Sequence, residues 1–93
     1  MATETYKKIS KKVLDKIDEL NMRDEEIKVR EIKGKWRIIY DNGNVEVNYG
    51  GYWTNIYYDV NYEVYRTEEL IELYELIKIV LNKIDKKMEK LNK

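Results

Sequence analysis

The sequence predicts an α+β domain: an N-terminal helix, a four-stranded antiparallel meander and a long C-terminal helix, with both helices on one sheet face. Three observations carry this. Apolar residues recur every three or four positions at both ends of the chain and every second position in the middle. All four glycines fall between positions 34 and 51, where they punctuate the middle into short strands. The three hairpins those glycines imply also agree on which side chains share a face.

Residues 5–20 form the first helix. Tyr6, Ile9, Val13, Ile17 and Leu20 make one stripe, widened by Leu14. Thr3 or Thr5 supplies the N-cap, and Asn21 is expected to end the helix in the left-handed conformation. In the strand region, Lys33-Gly34, Asn42-Gly43 and Gly50-Gly51 are each placed at the centre of a two-residue loop. Those loops pair Val29 with Ile38, Ile38 with Val47, Trp36 with Tyr49, Tyr49 with Tyr52 and Val45 with Ile56. All three registers put Ile27, Val29, Trp36, Ile38, Tyr40, Val45, Val47, Tyr49, Tyr52, Ile56 and Tyr58 on the covered face. A one-residue slip would reverse every face, so the agreement specifies the meander. Two joints are weaker. The first loop places Glu31 on the apolar face, and the fourth strand either runs from Tyr52 to Tyr65 or breaks near Asp59-Val60-Asn61.

From Thr67, the expected N-cap, the period returns to that of a helix, with Glu68 and Glu69 in the first turn where the helix dipole favours acid. Leu70, Tyr74, Ile77, Leu81, Ile84, Met88 and Leu91 follow at alternating spacings of four and three. Such a helix is about 36 Å long at 1.5 Å per residue, longer than the sheet, so its turns beyond Ile84 should overhang.

Composition narrows the chemistry. The 93 residues suit a single domain spanning 1–93. There is no Cys, His or Pro, and Ser10 is the only serine. A catalytic site would have to be assembled from Asp, Glu, Lys, Tyr and the four threonines, without the side chain that titrates near neutrality. An enzyme is not expected, and no cofactor or metal is implied. Asp41-Asn42-Gly43-Asn44 has part of a calcium loop, but the register needs it as a hairpin and no acid closes a loop. The N-terminus lacks the apolar stretch of a signal peptide and no run is long enough to span a membrane, so no membrane role and a cytoplasmic location are expected. Eighteen basic and 18 acidic residues balance, so attraction to nucleic acid would need segregated charge.

Three surfaces stand out. Tyr49 to Tyr65 holds six tyrosines and Trp53 in seventeen residues, too many to bury on one side of a small sheet. The uncovered sheet face is expected to present Trp53, Tyr57 and Tyr65 as aromatic platforms beside Lys28, Arg30 and Arg37. Four strands between the helices would make the helices antiparallel. The lysines of the first helix start (Lys7, Lys8, Lys11, Lys12, Lys16) and of the second helix end (Lys83, Lys86, Lys87, Lys90, Lys93) would then share one pole. The overhang at Ile84, Met88 and Leu91 is a candidate homodimer seam. Abundant Lys, Asn, Ile, Tyr and Glu is also what an AT-rich genome writes by default.

The expected function is binding to another protein, with Trp53, Tyr57, Tyr62 and Tyr65 as anchors and Lys28, Arg30 and Arg37 beside them. In size and residue inventory the chain resembles the small inhibitors that phages and mobile elements direct at host machinery, anti-CRISPR proteins among them. That resemblance implies a stoichiometric inhibitor. The alternative expectation is a single-stranded nucleic-acid binder that stacks bases on the sheet rings, or grips phosphates with the lysine pole.

Overall fold

The computed structural model describes residues 3–91. The chain runs α1 (Glu4–Asn21), β1 (Lys28–Lys33), β2 (Trp36–Asp41), β3 (Asn44–Tyr49), β4 (Tyr52–Trp53), α2 (Ile56–Asn61) and α3 (Thr67–Leu91). The strands form one antiparallel sheet in the order β1-β2-β3-β4, with both long helices packed on a single face.

The elements begin where local chemistry allows. Thr3 Oγ1 accepts the Tyr6 N–H at 3.1 Å and caps α1. Its other end has no left-handed residue: Asn21 is still helical and Met22 follows at φ −80. Thr67 is already inside α3. Glu69 there reaches back to accept the Arg66 N–H at 2.9 Å, half of a capping box. Asn42 and Gly43 (φ 50 and 90), like Gly50 and Gly51 (φ 58 and 87), have positive φ at both central positions, the pattern of type I′ hairpins. Across them Ile38 pairs with Val47, Tyr40 with Val45, Trp36 with Tyr49, and Tyr49 with Tyr52, as expected.

The first hairpin differs from the expectation. Val29 pairs with Tyr40, Glu31 with Ile38 and Lys33 with Trp36, so the loop is Gly34-Lys35 rather than Lys33-Gly34. Gly34 (φ 60) takes the first central position alone, as in a type II′ turn. The register has moved by two residues, an even number, so every side chain keeps its expected face. Glu31 does sit on the covered face, where Lys83 of α3 pairs with it.

The larger correction follows β4. The strand neither runs on to Tyr65 nor reaches the Val45–Ile56 pair; it stops at Trp53, and the last ladder bond is Thr54 N–H to Val47 C=O at 2.9 Å. Asn55 Oδ1 then accepts the Tyr58 N–H at 3.3 Å and starts α2. This short helix buries Ile56 and Val60 against the core. It runs back along α1: Tyr57 is bonded to Asp18 and Asn21 near the end of α1, while Val60 C=O accepts the Tyr6 hydroxyl near its start at 3.3 Å.

That extra crossing reverses the direction of α3. Its first turn lies at the β1–β2 hairpin end, where Glu69 C=O accepts Trp36 Nε1–H at 2.8 Å. Asp85, near its other end, meets Arg23 just past α1 at 2.7 Å. The two long helices are therefore parallel, and the shared lysine pole does not form. Lys7, Lys8, Lys11 and Lys12 lie at the acidic start of α3, whereas Lys83, Lys86, Lys87 and Lys90 lie at the acidic end of α1; Lys93 lies outside the described residues.

The core is one cluster. Val13, Leu20, Ile38, Tyr40, Leu70, Leu73, Leu76, Ile77, Val80 and Ile84 are fully buried. Trp36 is its aromatic hub, edge-on to Tyr49 at 4.7 Å and to Tyr65 at 4.8 Å. Of the overhang seam, Ile84 is buried and Met88 is half-buried against the core, which leaves Leu91 exposed.

Candidate protein-binding surface

Both ends of α2 are built by local hydrogen bonding, and this positions the exposed rings. Asn55 caps its start. At its end Glu63 adopts φ 54, while Glu63 N–H reaches Val60 C=O at 3.1 Å and Val64 N–H reaches Asp59 C=O at 3.0 Å. This is the Schellman closure that glycine usually makes, and a glutamate holds it at a cost of about 1 kcal/mol. With Ile56 and Val60 facing inward, Tyr58 and Tyr62 face outward one turn apart. Their ring centroids are 4.4 Å apart with planes inclined by 31°.

Tyr52 and Trp53 stand on the edge strand β4, where they point to opposite faces of the sheet, and Val64 follows the helix. These five side chains, Tyr52, Trp53, Tyr58, Tyr62 and Val64, are between 57% and 80% exposed, all within thirteen residues of chain. Tyrosine and tryptophan combine large apolar area with few rotatable bonds, and dominate the energetics of protein interfaces. Single exposed apolar residues are ordinary; such a density on one segment of a monomer is not.

The expected site residues divide into three groups. Trp53 and Tyr62 are among these exposed side chains. Tyr57 ties α2 to α1: its hydroxyl donates to Asp18 Oδ1 at 2.5 Å and accepts from Asn21 Nδ2 at 2.9 Å. Burial, and then the donated bond to the Asp18 carboxylate, raise its pKa above the usual tyrosine value. Tyr65 is buried against Trp36 and Tyr49, with its hydroxyl on Asp59 Oδ2 at 3.0 Å. Burial, the Asp59 bond and the Asp59 charge push its pKa up to about 12. Neither tyrosine stands on the open sheet face.

Lys28, Arg30 and Arg37 do occupy that face, on β1 and β2. Lys28 lies 4.0 Å from Asp41, an exposed pair of little energetic weight. Arg30 and Arg37 form no ion pair among the described residues. Sequence reasoning missed Tyr58, which it assigned to the covered face, and Tyr52, which pairs with Tyr49 as expected but is left exposed at the sheet edge. The signal available was Asn55 followed by Ile56 and Val60, a cap and an apolar pair at helical spacing.

Among the described residues no cluster of acidic side chains is placed to hold a metal ion, and no helix is long and apolar enough to cross a membrane. Compared with known proteins, the chain matches no family model, no curated protein and no solved structure.

Proposed function

We propose that this protein is a non-enzymatic protein–protein interaction module acting in the cytoplasm, and that its contact surface is the β4–α2 segment. The observation that carries the reading is the exposure of Tyr52, Trp53, Tyr58, Tyr62 and Val64 on a short stretch held rigid by Tyr57, Asn55 and the Schellman closure. A preorganised aromatic surface loses little entropy when it docks. A stoichiometric inhibitor, which occludes its target by binding, needs no more machinery than this.

The nucleic-acid alternative draws less support from the geometry. Its three sheet cations lie on β1 and β2, while of its rings Trp53 lies on β4, Tyr57 on α2 and Tyr65 in the core, and the lysine clusters are at opposite ends of the molecule. The test is a pull-down from the native host lysate, nuclease-treated and untreated, with wild type and the Trp53→Ala/Tyr62→Ala variant. One protein that survives nuclease with wild type and is lost with the variant supports the reading. Equal capture by both, or nucleic acid alone in the untreated eluate, overturns it.

A further inference from the structure

We propose a second contact site at the opposite edge of the sheet: the free edge of β1 accepts an extended, acidic peptide as an added strand. The reasoning begins with ladder parity. Asn42 N–H bonds Ile27 C=O at 2.9 Å, which turns the odd-numbered residues of β1 toward β2. The N–H and C=O groups of Lys28, Arg30 and Ile32 therefore point away from the sheet, and among the described residues β1 has no second strand neighbour. Lys28 C=O is taken by Lys87 Nζ at 2.6 Å. Arg30 and Ile32 keep their edge groups open.

The surrounding charges choose the occupant. Inward-pointing charges on an edge strand commonly guard against pairing. Here both inward charges are already matched on α3: Glu31 with Lys83, and Lys33 with Glu75 at 3.7 Å. On the outer side Arg30 on β1 and Arg37 on β2, directly across from Ile32, form no ion pair among the described residues, and the acid there without one, Glu46, lies farther off on β3. Arg37 Nε is buried without a hydrogen-bond partner among the described residues. An incoming strand with carboxylates on that side lies directly beside Arg30, with Arg37 one strand further in.

A second copy of the chain fits poorly. Because only the even-numbered residues of β1 present open edge groups, an antiparallel self-pairing must oppose even to even; the longest such pairings set Arg30 against Arg30, like charges directly opposite, or put Arg30 against Ile32 with no acid on the open face to meet it. Successive residues of an added strand alternate faces, so acids placed on the open face alongside Arg30 leave the residues between them on the covered side, the face of the buried Val29. The occupant is thus a peptide that alternates acidic and apolar residues, bound by main-chain hydrogen bonds and selected by charge.

The probe is acetyl-(Glu-Val)4-amide added to the isotope-labelled full chain, with acetyl-(Lys-Val)4-amide as control, followed by residue-resolved amide exchange. The Arg30 and Ile32 amides should slow by at least about tenfold with the acidic peptide while Val45 on the far side of the sheet is unchanged. Arg30→Glu should weaken binding by about tenfold. Ile32→Pro should abolish binding without breaking the β1–β2 ladder, because the lost N–H faces outward. If the proline variant fails to fold, Arg30→Glu, an exposed substitution, decides alone. Trp53→Ala should leave the peptide affinity intact, which separates this site from the β4–α2 surface. Unchanged exchange at Arg30 and Ile32, equal binding of the lysine peptide, or concentration-dependent protection of these amides without peptide would each overturn the proposal.

Discussion

Replacing Trp36 by Phe tests the joint between the sheet and the start of α3. Trp36 is fully buried, meets Tyr49 and Tyr65 edge-on, and donates from Nε1 to Glu69 C=O at 2.8 Å. Phenylalanine keeps a ring for both edges but loses the hydrogen bond, worth about 1 kcal/mol. It also leaves the volume of one fused ring unfilled, at about 1–2 kcal/mol. The expected destabilisation is about 2–3 kcal/mol, which for a domain of this size lowers Tm by about 10–20 °C. Urea unfolding followed by far-UV circular dichroism gives the difference directly. Trp53→Phe is the internal control: its ring is exposed, so its effect should stay within about 0.5 kcal/mol. A cost below about 1 kcal/mol for Trp36→Phe, or equal costs for the two tryptophans, would refute Trp36 as the hub.

Two further outcomes are expected. Tyr65 has its folded pKa raised from 10.0 to about 12, so its contribution to stability is complete below pH 10 and is lost as pH rises from 10 through 12. Chemical denaturation at stepped pH should show the gap between wild type and Tyr65→Phe closing across that window; a constant gap would remove Tyr65 as the source. Gly34→Ala should destabilise by about 1–2 kcal/mol, because φ is 60 there and an added Cβ would lie 2.6 Å from Glu72 Oε2. Glu72→Ala should recover only the steric part, and full recovery in the double variant would show that the backbone conformation costs nothing.

How much of this was legible in the sequence depended on whether local signals were unique. Asn42-Gly43 and Gly50-Gly51 each demand positive φ at both centres, so their hairpins and registers follow directly from the residues. Gly34 has neighbours that suit either side of it, and the choice between Lys33-Gly34 and Gly34-Lys35 rests on turn type. Faces survived that error because the two registers differ by an even number of residues.

The fourth strand was harder. Tyr57, Tyr58 and Val60 favour strands by propensity, and tertiary packing of Ile56 and Val60 against α1 overrides it. From that one substitution of helix for strand came the parallel helices, the dispersed lysines, and the placement of Tyr57 and Tyr65 away from the open face. The aromatic segment as the candidate surface was legible from residue density alone. Which of its rings face solvent depends on the α2 cap and on the depth of the Trp36 cluster, and neither is a property of a short window.

Hydrogen exchange on the complex with the captured partner tests the binding surface most directly. Protection on binding should concentrate in residues 52–64, with the largest changes at Trp53 to Tyr62, and should disappear with Trp53→Ala/Tyr62→Ala. Protection confined to the lysine-rich start of α1 or end of α3, with 52–64 unchanged, would contradict the β4–α2 assignment.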